Sequence, residues 1–265
     1  MMTQFGVFKK GIYYPDNRDA GFFSLLTTSL LDLSQIKSPV FQVKSKEAFK
    51  DFTIQGSENS WSEFFNQPTG CLRVSRNSRS ELKELLHHSI YRNLPFSSAS
   101  PFLAEFFSPS DRVLETREFL TDKYSIDPLR TIAVCLRGTD KSLEVSTPPL
   151  RHYLNLAGEE LARNPGFRIL AMSDQRQYLD TFRAEFGSDV SIFKELPTTT
   201  NNIVLHKQLS EGDKAMFGMN LLASVLILAS ARSLITHTGN LAFWTALYRG
   251  TSDGLVQLRG SEIID

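Results

Sequence analysis

The chain has only two cysteines, Cys71 and Cys135, with no short CxxC spacing and no histidine cluster beside them. Neither a disulfide framework nor a zinc site is implied. It also lacks an excess of either charge: 29 lysines and arginines stand against 29 aspartates and glutamates. No net field draws the whole protein onto nucleic acid or an anionic membrane, so any anion site must be local. No run approaches the roughly 20 apolar residues that span a bilayer. The most apolar stretch, 221–228 with Ala229 and Ala231, is interrupted by Ser224 and reads as a buried helix. The opening MMTQFGVFKKGIYYPDNRD has two lysines but no apolar run behind them. No secretory signal is read there, and a cytoplasmic protein without a transmembrane segment is expected. Internal repeats and low-complexity tracts are missing, and no GxGxxG follows an early strand, which argues against a dinucleotide-dependent dehydrogenase.

What is present is 265 residues, enough for one large domain or two compact ones sharing a cleft. In the first half, a turn-rich opening leads into a helix over 21–33, whose apolar face carries Phe22, Leu25, Leu26, Leu30 and Leu33. A short strand is expected at 39–43, a helix at 79–91, and a helix at 111–124 capped by Ser110 or Asp111. Serines and prolines gather between Pro95 and Pro109, which reads as an ordered surface loop. From Arg130 onward strands and helices alternate. Strands are expected at 131–136, 168–172, 190–193 and 233–236, and helices at 150–163, 175–186, 214–230 and 241–248. Such a run of βα units specifies an α/β fold with a parallel sheet covered by helices on both faces.

In such a sheet ligands sit beyond the carboxyl ends of the strands. The first strand is followed by Arg137, Gly138, Thr139, Asp140 and Lys141, the second by Ser173, Asp174 and Gln175, and the fourth by His237, Thr238, Gly239 and Asn240. Arg137 can present its planar fork to phosphate oxygens, with Gly138 admitting a close backbone approach and Thr139 offering a hydroxyl. The segment 237–240 opens a helix, whose free N–H groups and dipole favour an anion. Each loop also has a plainer reading. Arg137 to Asp140 serves equally as a solvated turn, Ser173-Asp174 as a helix cap, Thr238 or Asn240 as a cap, and His237 as a core-edge histidine.

Three segments, CLRGTDK, ILAMSDQRQYLDTFRAEFG and LILASARSLITHTGNLAFWTALYRG, occur in this order. Together they resemble the fucosyltransferases of the alpha-1,6, nodulation and protein O-fucosyl group. NRDAGFFSLL, containing Gly21 and Phe22, is similar to that family's amino-terminal glycine loop, and NSWSEFF to its Asn-x-Trp-x-x-(Phe/Tyr)-Phe segment. The resemblance implies a GT-B-like fold, with two Rossmann-type domains and a cleft between them. Residues 1–125 would form the acceptor side and 126–265 the nucleotide-sugar side. It further implies a GDP-fucose donor, a carbohydrate or glycoconjugate acceptor, inversion at the sugar carbon, no metal and no other cofactor. Arg137 matches the family's phosphate-binding arginine, Lys141 is placed to assist it, and Asp140 to orient either. Glu144 is a candidate base for the acceptor proton, or else a surface loop glutamate.

Two positions depart from the family. Cys135 stands where a histidine often begins the motif, and Ser224 falls near an expected acidic residue; both positions help relatives read guanine. The alternative to a transferase is a nucleotide-sugar-binding protein of the same fold that has lost transfer. The aromatic residues Trp61, Phe64 and Phe65 read either as an acceptor groove or as core.

Overall fold

The computed structural model describes residues 6–16, 20–45, 48–53, 57–72, 75–138, 148–200 and 209–265. In the first half β1 (Val7–Lys9) and β2 (Ile12–Tyr14) form an antiparallel hairpin, and β3 (Gln42–Val43) joins β2 in parallel. The same half contains α1 (Phe22–Gln35), α2 (Trp61–Phe64), α3 (Arg76–Lys83), α4 (Phe96–Phe106) and α5 (Asp111–Lys123). The helix expected at 79–91 starts three residues earlier, at Arg76, and stops at Lys83. Tyr91–Asn93 forms a separate 3-10 turn.

The segment 95–109, read from its prolines and serines as a surface loop, is instead mostly helix α4. Ala99, Phe102, Leu103 and Phe106 lie one helical turn apart and are all buried. Burying those apolar groups, at about 25 cal/mol per Å² removed from water, outweighs the hydrogen bond that Pro101 takes from the helix interior.

The second half follows its expected alternation closely. It comprises β4 (Thr131–Leu136), α6 (Leu150–Arg163), β5 (Arg168–Ser173), α7 (Arg176–Phe186), β6 (Val190–Ser191), α8 (Glu211–Ser230), β7 (Ser233–His237) and α9 (Asn240–Arg249). A closing hairpin of β8 (Leu255–Arg259) and β9 (Glu262–Ile264) was not anticipated. The six strands lie in the order β6-β5-β4-β7-β8-β9, all parallel except β9, which runs antiparallel to β8. The chain therefore winds outward from β4 through β5 to β6, crosses back by α8, and continues on the other side with β7. That reversal puts a topological switch point between β4 and β7, where α/β sheets hold their ligands.

Alternate residues of β4 face two apolar clusters, as the period of a strand requires. Ile132, Val134 and Leu136 pack with Tyr153 and Ala157 of α6 and Leu179 and Phe182 of α7. Ala133 and Cys135 face the other cluster, which holds α8, α9 and the first-half helices together. This second cluster crosses residue 125 without a break, running from Tyr13 to Leu255. At its centre stand Phe22, Phe49, Trp61, Phe64, Phe65, Phe107 and Trp244, each at most 2% exposed. Trp61, Phe64 and Phe65 are thus core rather than groove. Helix α8 has the length and composition to cross a membrane, yet residues 218–229 are all buried within the protein.

Candidate functional site

Parallel pairing brings the tips of β5, β4 and β7 side by side, with Leu136 opposite Ser173 and Val134 opposite Ile235. Arg137 and Gly138 leave the tip of β4. The Gly138 N–H donates to Asp174 Oδ1 at 3.0 Å, and the Gly138 carbonyl accepts from Gln175 Nε2 at 2.9 Å. Asp174 Oδ2 lies 3.8 Å from Arg137 Nε. The side chains of Arg137 and Asp174 are 28% and 21% exposed, so both border solvent.

The N-cap position of α7 is Gln175, with no side-chain cap, and the Gln175 N–H donates to Ser173 Oγ at 3.1 Å. Backbone bonds from Thr199 N to Asp174 O and from Arg176 N to Thr199 O hold this turn from its other side. The Asp174 carboxylate braces the turn after β4. A part-exposed arginine at a strand tip, beside an aspartate and a glycine turn, is a geometry that grips anionic oxygens.

The turn after β7 is held from within. His237 Nδ1 lies 3.2 Å from the Cys135 carbonyl; because that oxygen only accepts, Nδ1 carries the proton. Thr238 Oγ1 accepts from Gln257 Nε2 at 3.0 Å. The Gly239 N–H donates to Tyr91 Oη at 2.9 Å. Asn240 Oδ1 accepts from Thr27 Oγ1 at 2.9 Å, and Thr27 Oγ1 accepts from Trp244 Nε1 at 3.0 Å. Helix α9 starts at Asn240 with no side-chain cap at Gly239. Its first turn carries the partial positive charge of a helix N-terminus.

Gly21 caps α1 through its carbonyl, which accepts from Ser24 N and Leu25 N, and open space surrounds it. Phe22, in contrast, is core, with the rings of Phe23, Phe49, Phe52 and Phe64 4.8 to 5.4 Å away. Thr139, Asp140, Lys141 and Glu144 lie outside the described residues. The structure thus gathers Arg137, Gly138, Ser173 and Asp174 around adjacent strand tips and sets His237 to Asn240 beside them.

Cys135 and Ser224 are both buried, at 2% and 0% exposure. Burial pushes the Cys135 thiol up to about 12, with the Thr236 hydroxyl and the Arg137 guanidinium offsetting part of the rise. It is a neutral core group beneath the tip of β4. Ser224 lies mid-way along α8 inside the core.

Sequence reasoning missed Tyr91, Gln257 and Thr27. A glutamine amid the apolar residues of LVQLR was the available signal for Gln257, since a buried amide demands partners. Nothing local marked Tyr91 or Thr27, whose partners lie 148 and 213 residues away.

No protein-family model and no curated protein matches the chain. Among solved structures it is similar to the NodZ alpha-1,6-fucosyltransferase soaked with GDP-fucose, at 14% identity and a TM-score of 0.43, over 64% of this chain and 53% of that one. It is also similar to the fucosyltransferase NodZ from Bradyrhizobium (15% identity, TM-score 0.39, 60% and 48% covered). A third is POFUT1 in an apo form (11% identity, TM-score 0.42, 61% and 49% covered). The chain spans about half the length of these structures.

Proposed function

We propose that the chain binds a nucleotide diphosphate sugar at the tips of β4, β5 and β7 and transfers its glycosyl group to a carbohydrate or glycoconjugate acceptor. The observation that carries this reading is the Arg137–Gly138 turn at the switch point, braced by the Asp174 carboxylate. As the bond between the anomeric carbon and the phosphate oxygen breaks, its electron pair leaves with the diphosphate. A guanidinium held in place beforehand lowers the barrier most where that negative charge develops. The uncapped first turn of α9 supplies a second, dipolar stabiliser.

The run CLRGTDK, SDQ and THTGN supports GDP-fucose as donor and inversion as outcome, through its resemblance to fucosyltransferases. The acceptor hydroxyl attacks from the face opposite the diphosphate, and its proton passes to a base, for which Glu144 is the sequence candidate. With charge neutralised by protein groups, transfer is expected to survive chelation of divalent metal.

Calorimetric titration with GDP, paired with a GDP-fucose turnover assay, tests the proposal. Wild type should bind GDP, and Arg137→Ala should bind about a hundredfold more weakly, since a charge-assisted bidentate contact contributes ~3 kcal/mol. Unchanged affinity in the variant, or no binding by wild type to any of GDP, UDP and their sugars, would overturn it. Binding without turnover would favour a nucleotide-sugar-binding protein of the same fold.

A further inference from the structure

Tyr91 belongs to the first half of the chain, yet its phenol lies in the turn that opens α9. The ring is fully buried. Its oxygen accepts from the Gly239 N–H at 2.9 Å, and its single proton is shared between two acceptors, the Gly239 carbonyl at 3.0 Å and the His87 carbonyl at 2.9 Å. Gln257, from the middle of β8, fastens the same staple from below. Its Oε1 accepts from the Tyr91 N–H at 2.8 Å, while its Nε2 donates to the Ser89 carbonyl at 3.1 Å and to Thr238 Oγ1 at 3.0 Å. Gln257 is 1% exposed, so these bonds form where water does not compete.

Residues 89–91 are in this way bonded on one side to Gln257 of the six-stranded sheet and on the other to the backbone of Gly239. Three hydrogen bonds from these two side chains reach Thr238 and Gly239, and two more tie Gln257 to residues 89–91, so the turn is fixed although it has no side-chain cap of its own. We infer that Tyr91, backed by Gln257, is a positioning residue. It sets the direction in which the first-turn N–H groups of α9 point, and so completes the diphosphate site from the opposite half of the chain. The inference rests on the donor site proposed above; Tyr91 itself touches no substrate and acts through Gly239.

The test compares Tyr91→Phe with Tyr248→Phe in the full chain. Tyr248 sits at the far end of the same helix and donates to the Phe107 carbonyl at 2.9 Å, so its variant loses a comparable phenol bond away from the strand tips. Tyr91→Phe should bind GDP about tenfold more weakly, as loss of one buried hydrogen bond predicts, while Tyr248→Phe should bind as wild type does. Hydrogen exchange supplies a readout that needs no ligand: the peptide covering 237–243 should exchange faster in Tyr91→Phe and not in Tyr248→Phe. Should Tyr91→Phe fail to fold by near-UV circular dichroism, Gln257→Met, which removes the donor to Thr238, should give the same two changes. Wild-type GDP affinity in Tyr91→Phe, or unchanged exchange at 237–243, overturns the inference. No GDP binding by wild type would instead overturn the donor site itself, and the exchange measurement would still decide whether Tyr91 fixes the turn.

Discussion

A Cβ added at Gly138 would stand 2.5 Å from Gln175 Oε1, 2.6 Å from its Cδ and 2.7 Å from Tyr178 Cε2. To admit it, Gln175 must leave the Gly138 carbonyl, and the turn that carries Arg137 loses one of its two braces. Gly138→Ala is therefore expected to weaken GDP binding about tenfold and to cost 1–3 kcal/mol of stability, roughly what overpacking costs elsewhere; calorimetry and thermal melting would show both. The cysteines offer a second residue-scale check. Cys71 is exposed, whereas Cys135 is buried with its thiol held neutral. Iodoacetamide at pH 8 should alkylate Cys71 alone, with Cys135 reacting only after denaturation, as mass spectrometry of the tryptic peptides would report. Labelling of Cys135 in the native protein would mean that the tip of β4 opens to solvent.

Among the helices, α8 is buried on every side over 218–229, and inside it the Ser224 hydroxyl has no hydrogen-bond partner among the described residues. An unpartnered buried hydroxyl costs about 1–3 kcal/mol, so Ser224→Ala should leave the melting temperature unchanged or raise it. Gly218, one turn and a half earlier, is the opposite case. A Cβ there would meet the Phe52 carbonyl at 2.6 Å, backbone that cannot step aside, and the Phe52 side chain at Cβ, 2.9 Å away. Gly218→Ala should therefore lower the melting temperature by several degrees, at about 2–4 °C per kcal/mol. A fall with Ser224→Ala and none with Gly218→Ala would mean that α8 packs differently. The same scale explains which elements could be read from sequence. In β4 and α6 the hydrophobic period runs unbroken between turn residues, and both bounds agree with expectation. In α4 the period was equally present, but Pro95 and Pro101 obscured it, and burial of its face overrode them.

At the scale of the whole molecule, the apolar cluster that joins α8 and α9 to the first-half helices makes the second half dependent on the first. Expressed alone, 126–265 should expose those faces, bind a hydrophobic dye and lose near-UV circular dichroism; a cooperative melt of that fragment would refute this. The core also sets an alkaline limit. Burial pushes the Cys135 thiol from its ordinary 9.0 to about 12 and holds the phenols of Tyr13, Tyr91, Tyr153 and Tyr248 well above their usual range. These groups stay protonated in the folded state while the unfolded chain ionises, so above pH 9 the unfolded state binds fewer protons and stability falls as pH rises. The slope is about 1.4 kcal/mol per pH unit for each group. The denaturation midpoint in guanidinium chloride should thus drop between pH 8 and pH 11, and an unchanged midpoint would contradict the burial of these groups. What the amino-acid order determined by itself was the βα alternation from residue 131 onward and the polar residues at each strand tip, because period and turn chemistry are local. What only the tertiary structure decided was that Asp174 braces Gly138, that Phe22 and Trp61 are core, and that Tyr91 reaches Gly239. Those pairings join residues 36 to 148 positions apart or depend on which face of an element is covered, and no local pattern encodes either.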